Sequence, residues 1–177
     1  MSSADETLQS RRGFLAGAPL AALAGLGLSE ALFAPVAVAE DLAAGKGGGY
    51  QHLTAEALAA DQQTLAAAPG NNNLVTDKNF ILVMTTEKAK SAREFEWHEG
   101  RDHVFLILSG ETIYEMGGTP RGTHKLREGE WLAPESVGAE RVTLKKGDIL
   151  AIPRGTLHKR TTDGEVSFLL ISTIAEQ

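Results

Sequence analysis

Beyond Asn73 the chain is a succession of short apolar runs with turn signals between them. The runs are rich in β-branched and other apolar residues, and the signals between them are Ser-Gly, Gly-Gly, Lys-Gly-Asp, Pro-Arg-Gly and Asp-Gly. Several short strands at this spacing are typical of a sandwich or barrel, so we predict an all-β domain. The predicted strands are 80–84, 104–108, 112–116, 141–144, 149–152 and 166–174.

Three other segments complete the predicted layout. The helix-favouring composition of 53–67, followed by Pro69-Gly70 and three asparagines, predicts one short helix. The Gly-rich stretch 41–50 is a flexible linker rather than a phosphate-binding loop, because no Gly-Lys-Ser/Thr sequence ends it. Residues 117–139, which hold two prolines and several glycines, are longer than a hairpin loop, and we expect them to pass over one rim of the barrel.

The N-terminal segment has the layout of an export signal. Arg11 and Arg12 precede an uncharged Ala, Gly and Leu stretch over 16–29, and Ala-Val-Ala ends at Ala39. The paired arginines resemble the twin-arginine class of signal, with Ala16 in place of the last lysine of its pattern, which implies a bacterial periplasmic or secreted protein. A buried helix or an uncut membrane anchor are the alternatives, although the run is short and weakly apolar for a membrane span.

The chain is therefore divided into an export signal over 1–39, a linker and short helix over 40–73, and a β-barrel domain over 74–177.

Charge and cysteine content exclude several classes of function. The 17 Lys and Arg against 23 Asp and Glu give a net charge of −6, which excludes the large basic surface that nonspecific nucleic-acid binding needs. The absence of cysteine excludes disulfides, thiol nucleophiles and cysteine-ligated metals. Any bound metal must be held by carboxylates and some of the five histidines.

Three histidines lie at predicted strand ends beside turns. The strand period of two puts Glu94, Glu96 and His98 on one face, and a tight reversal then brings His103 back beside them. A second turn, Pro-Arg-Gly-Thr-Leu, delivers His158. Three neutral imidazoles and one carboxylate suit a divalent transition metal with coordination positions left for water or substrate.

The spacing around these residues resembles the two motifs of the cupin superfamily, over roughly 80–174. The second motif, G-x(5)-P-x-G-x(2)-H, is matched in full by 147–158, and only its closing Asn is replaced, by Thr162. The first motif, H-x-H-x(3,4)-E-x(6)-G, keeps its spacing over 96–110. There a glutamate stands where the first histidine belongs, and a histidine stands where the glutamate belongs.

The resemblance implies a cupin-type double-stranded β-helix, a jelly-roll barrel, preceded by a short N-terminal helix. It also implies that Glu96, His98, His103 and His158 are metal ligands, since the two exchanges restore the family's set of three histidines and one glutamate. The alternative is a set of polar residues on the rim of a metal-free barrel. We expect one divalent metal, Fe, Mn, Ni or Zn.

The resemblance further implies an enzyme that acts on a small oxygen-rich organic substrate, by dioxygenase, isomerase, lyase or cyclase chemistry. The alternative is a non-catalytic cupin of the cell envelope that binds a small molecule or a metal.

Two further residues are candidate catalytic groups. Glu94 shares the face of the ligands and could act as a base or support a ligand, while a salt bridge to Arg93 or Arg160 is the alternative. Tyr114 is expected to point into the barrel, where it could donate a proton or simply pack in the core.

Two surface features point to binding partners. The basic run 121–127, which includes His124, could attract an anionic substrate or be a solvated loop. Apolar residues on the outer face of the predicted strand 104–108, with Phe95 and Trp97, predict a covering layer. That layer could be the N-terminal helix or a second copy of the chain, which would form a homodimer.

Overall fold

The computed structural model describes residues 50–174, so the predicted export signal lies outside the described residues. One helix and eleven strands occupy this part of the chain. They are α1 (Ala55–Ala67), β1 (Gly70–Thr76), β2 (Phe80–Ser91), β3 (Phe95–His98), β4 (His103–Met116), β5 (Thr119–Arg121), β6 (His124–Arg127), β7 (Glu130–Ala133), β8 (Glu135–Val137), β9 (Glu140–Lys145), β10 (Ile149–Ile152) and β11 (His158–Thr173).

Helix α1 forms where the composition predicts a helix. Its N-cap is Thr54, whose hydroxyl accepts a hydrogen bond from the amide of Ala57 at 3.2 Å. The helix stops two residues before Pro69, which cannot continue it. Leu65 packs against Leu74 and Met84, so the helix covers one part of the sheet's outer face.

Three long antiparallel strands form the frame of the domain. Strand β11 lies between β2 and β4, and Leu170 is opposite Val83 on one side and Phe105 on the other. Strand β1 extends the sheet beyond β2, and β9 and β10 pair with successive parts of β4. The all-β prediction with one short N-terminal helix is confirmed.

Strand β4 bends sharply, which closes the sheet around a core. Phe105 and Tyr114 are nine residues apart, which is roughly 30 Å in a straight strand. Their ring centroids are nevertheless 5.3 Å apart. The bend contains Gly110 with φ 71°, and a Cβ there would lie 1.9 Å from the carbonyl oxygen of Glu165.

The bend replaces a turn that the sequence predicts. The Ser-Gly pair at 109–110 does not separate two strands, because 103–116 is a single strand with an irregular register. The Asp-Gly pair at 163–164 likewise lies inside β11, at a register shift, and does not precede it. In both places the glycine allows a bulge and not a hairpin, so the strand continues with a shifted register.

The core lies between the inner faces of the bent sheet. Its largest side chains include Phe105, Tyr114 and Phe168. The ring centroid of Phe105 lies 5.3 Å from that of Tyr114 and 5.5 Å from that of Phe168. The other buried members are aliphatic: Ile81, Val83, Ile107, Leu144, Ile152, Val166 and Leu170.

The excursion over 117–139 is built of short strands. Strand β5 pairs with β8, whereas β6 and β7 join the main sheet. Strand β7 pairs with β3, and this pairing places Glu130 opposite His98. The excursion therefore contributes to the part of the barrel where the predicted ligands lie.

The outer face of the sheet is only partly covered. Leu108 packs against the helix cluster, while Ile149 and Ile171 are 66% and 42% exposed. The homodimer stays a prediction. Within residues 50–174, no helix is long and apolar enough to span a membrane.

Candidate metal centre

Three buried histidines face one another at one end of the barrel. His98 ends β3, His103 begins β4 and His158 begins β11, and each is 3 to 4% exposed. One potential ligand atom from each lies within 4.8 Å of the others. The ring centroids are 4.7 Å apart for His98 and His103, and 5.4 and 5.9 Å from these to His158.

Two turns hold these histidines together. The turn before His158 contains Gly155, whose amide donates to the carbonyl oxygen of His98 at 2.7 Å. The reversal before His103 contains Asp102, whose carboxylate accepts from the backbone amide and the guanidinium of Arg154. The three imidazoles, which are far apart in the sequence, therefore rest on loops that are tied to each other.

Hydrogen bonds fix the ring tautomer of two of the histidines. Nδ1 of His98 donates to Oε2 of Glu130, and Nδ1 of His158 donates to the carbonyl oxygen of Thr156 at 2.9 Å. In the neutral form of each ring the proton is thus on Nδ1, and Nε2 keeps its lone pair. Nδ1 of His103 is buried and has no hydrogen-bond partner among the described residues. This donor set fits a transition metal.

Burial favours the neutral form of His103 and His158. It lowers the pKa of His103 to about 2, and the neighbouring His98 and His158 contribute to this shift. Burial also lowers the pKa of His158, against the opposing effect of Glu96. Neutral imidazole is the form that binds a metal ion, so protons should compete little for these two ligands near neutral pH.

The Glu96 carboxylate adjoins the histidine cluster. Glu96 is opposite His158 in the β3–β11 pairing, and its Oε1 lies 3.6 Å from Nε2 of His158. Its side chain is 12% exposed, so it is less buried than the imidazoles. The three histidines alone form the group whose potential ligand atoms lie within 4.8 Å of one another among the described residues. Glu96 lies next to this group, beside His158.

The sequence reasoning missed two residues of the centre, Glu130 and Arg101. Glu130 binds His98 through one carboxylate oxygen and Nη2 of Arg101 through the other. Burial raises the pKa of Glu130, but the hydrogen bond from His98 and the positive charge of Arg101 outweigh this effect, so the pKa is lowered overall. The alternation of Glu130, Trp131 and Leu132 is a strand signal, yet it does not reveal that this strand pairs with β3.

Glu94 lies outside the histidine cluster. Its carboxylate is 3.7 Å from Nε2 of His124, on the partly exposed rim. The expected alternative, a salt bridge from Glu94 to Arg160, is wrong, because Arg160 donates twice to Glu87, at 2.9 and 2.7 Å. The reason is geometric: Arg160 points into the barrel, where Glu87 is also buried.

Tyr114 points into the barrel, as expected from its alternation in the strand. Its hydroxyl accepts from Nη1 of Arg160 at 3.1 Å, and the residue is 1% exposed. Burial raises the pKa of Tyr114 to about 12, despite the nearby Arg160 charge. The packing favours the core alternative, and a role as proton donor stays a prediction.

Comparison with known proteins gives matches among solved structures only. No known family profile and no curated protein matches the chain. Solved structures that are similar to it include a cupin superfamily protein from Desulfitobacterium hafniense, with 19% identity, TM-score 0.42, and coverage of 60% of this chain and 76% of that one. KdgF from Halomonas sp. has 13% identity, TM-score 0.44, and coverage of 60% and 81%.

A cupin-2 domain protein from Shewanella frigidimarina is similar at the same level, with 16% identity, TM-score 0.43, and coverage of 63% and 88%. Sequence identities and TM-scores of this size do not support an argument from these structures. The fold is therefore described from the strand order of this chain itself.

Proposed function

We propose that this chain is an exported metal-binding enzyme that acts on a small oxygen-rich organic substrate. The observation that carries the proposal is the cluster of three buried imidazoles, two of which hydrogen-bond through Nδ1 to an acceptor and so leave Nε2 to face a metal. Burying three imidazoles costs solvation, and a metal ion supplies a shared partner for their lone pairs.

The four candidate ligands come from three strands of the barrel. His98, His103 and His158 hold the metal, and Glu96 completes the set from the more exposed side. A divalent metal bound there would act as a Lewis acid or as a site for oxygen activation. Fe, Mn, Ni and Zn all accept this combination of imidazole and carboxylate.

The substrate approaches from the side of Glu96 and Arg101. Their side chains are 12% and 16% exposed, whereas the imidazoles are almost fully buried. Within the barrel interior, Arg160 lies over the ring of Phe168 at 4.4 Å and hydrogen-bonds to Tyr114. The positive charge of Arg101 near Glu96 favours substrates that carry an enolate or carboxylate oxygen.

Metal analysis tests the site. The full-length chain is purified without added metal, and its content of Fe, Mn, Ni and Zn is measured. We expect close to one metal per chain, a loss of metal in His98→Ala and His158→Ala, and no loss in His52→Ala, which replaces an exposed histidine outside the cluster. A wild-type protein that holds no metal, even after incubation with each ion, contradicts the proposal.

Turnover tests the catalytic part of the proposal. Diketones, catechol-like phenols and sugar acids are offered to the metal-loaded protein, with His158→Ala as the inactive control and His52→Ala as the active one. Turnover that disappears only in His158→Ala supports an enzyme. Metal binding without turnover of any of these classes favours the non-catalytic binding protein instead.

A further inference from the structure

We propose that Glu130 is a positioning residue of the metal centre, which acts through His98 and is itself held by Arg101. The inference rests on the proposed metal-binding function and adds a role for a residue of the excursion over 117–139. It concerns how His98 is oriented and in which tautomer it is held.

The backbone places Glu130 beside His98. Strand β7 pairs with β3 in antiparallel register, and Glu130 is directly opposite His98. The amide of Glu99 donates to the carbonyl oxygen of Gly129 at 2.9 Å, which continues this ladder past the pair. Two residues directly opposite in such a ladder have side chains on the same face, so the contact follows from the register.

Both carboxylate oxygens of Glu130 have defined partners. Oε2 accepts from Nδ1 of His98, and Oε1 accepts from Nη2 of Arg101. The side chain is 5% exposed, so water competes little for these oxygens. Because both oxygens are engaged, Glu130 supports the ligand His98 rather than binding the metal itself. Glu96 remains the candidate carboxylate ligand.

A carboxylate on Nδ1 decides what Nε2 can do. It accepts only, so it requires the proton of the neutral ring to be on Nδ1. Nε2 then keeps the lone pair that a metal needs, and the ring is fixed in rotation. An amide in the same place could donate to Nδ1, which would move the proton to Nε2 and block the ligand atom.

The barrel holds a matched control for this interaction. Glu87 is as buried as Glu130, at 4% exposure for each residue, and it also binds an arginine, Arg160. Glu87 contacts Thr162, with no imidazole among its described hydrogen-bond partners. Glu87→Gln thus removes a buried carboxylate and weakens an arginine pair without changing a histidine tautomer.

The first test is the tautomer of His98 in the metal-free full-length chain, read from ¹H–¹⁵N spectra of the imidazole nitrogens. We expect His98 to be protonated on Nδ1 in the wild type and in Glu87→Gln. In Glu130→Gln the population protonated on Nε2 should rise. A wild-type His98 protonated on Nε2 overturns the proposal, even if Glu130→Gln does not fold.

The second test is the affinity for Zn²⁺, measured by competition with a chromophoric chelator, together with the visible spectrum of bound Co²⁺. We expect Glu130→Gln to bind Zn²⁺ about 10- to 100-fold more weakly, with an altered Co²⁺ spectrum. Arg101→Gln should give a smaller loss, and Glu87→Gln should keep the wild-type affinity and spectrum.

The outcomes separate the two proposals. If folded Glu130→Gln binds Zn²⁺ as the wild type does, the role of Glu130 is wrong and the metal site stands. If the wild type binds no metal, the proposed function fails, and the tautomer spectra still decide whether Glu130 positions His98.

Discussion

Asp102 and Arg154 clamp together the two turns that deliver His103 and His158. Nη2 and Nε of Arg154 donate to the two carboxylate oxygens of Asp102 at 2.6 and 3.2 Å, and the backbone amide of Arg154 donates at 2.8 Å. Thr173 adds a hydroxyl donor to the same carboxylate at 3.0 Å. These bonds lower the pKa of Asp102, the side-chain bond from Arg154 most.

We expect Asp102→Asn to weaken Zn²⁺ binding by several-fold with little loss of stability, because an exposed ion pair contributes only about 0–1 kcal/mol. The loss arises because the two turns that orient the ligands are no longer tied. Glu115→Gln is the control, since it removes a carboxylate of similar exposure whose ion pair, with Lys159, does not join the two turns. Equal Zn²⁺ affinities of the two variants would show that the clamp does not position the ligands.

Acid should destabilise the metal-free protein. The folded pKa values of His103 and His158 are lowered by burial, so only the unfolded chain takes up these protons as the pH falls below about 6.5. The free energy of unfolding should therefore be unaffected by these groups above that pH. Below it, His103, whose folded pKa is about 2, should cost about 1.4 kcal/mol per pH unit, and His158 should add a loss of the same sign. Urea unfolding between pH 8 and pH 5, with a chelator present, measures the slope, and His103→Gln should reduce it.

Gly110 should not tolerate a side chain. Its φ is 71°, and a Cβ would overlap the carbonyl oxygen of Glu165 at 1.9 Å. We expect Gly110→Ala to lower the free energy of unfolding by about 2–4 kcal/mol. Gly138→Ala separates backbone strain from steric overlap. Gly138 has φ 81°, but no neighbouring atom lies within 4 Å of the place that a Cβ would take. We therefore expect Gly138→Ala to lower the free energy of unfolding by only about 1 kcal/mol. Equal losses in chemical denaturation would contradict the steric argument.

Tyr114→Phe tests the core alternative for this tyrosine. The change removes the acceptor of one Arg160 donor, and we expect a loss of about 1–2 kcal/mol in the free energy of unfolding. Zn²⁺ affinity should be unchanged, because the phenol contacts the arginine network rather than a ligand. If turnover is lost while stability and Zn²⁺ binding are retained, Tyr114 is a proton donor instead.

The paired arginines should be required for export. We expect Arg11→Lys combined with Arg12→Lys to leave the full-length precursor in the cytoplasm, since lysine keeps the charge but not the twin-arginine pattern. Cell fractionation with a C-terminal tag measures this. Export of the double variant at the wild-type rate would contradict the assignment.

Local patterns predict much of the fold. The composition of 53–67 indicates α1, and the strand period places Glu96 and His98 on one face, next to His103 across a reversal. His158 is predicted only through its motif spacing, and the structure brings it into the same cluster.

Nonlocal pairing is what the sequence does not reveal. Glu130 is 32 residues from His98, and only the β3–β7 ladder brings them together. Gly110 and Gly164 illustrate the same limit. A glycine beside a small polar residue indicates a turn, but whether the chain reverses or only bulges depends on the strand that pairs with it.

The position of the three histidines in the chain has a consequence for folding as well as for binding. His98 and His158 are separated by roughly 60 residues, so a metal ion on both closes a long loop, as a disulfide would. The chain has no cysteine and therefore no covalent cross-link of that kind. Because the ligands meet only in the folded chain, the free energy of metal binding adds to that of folding, and the ion serves as a cross-link that can be removed by a chelator.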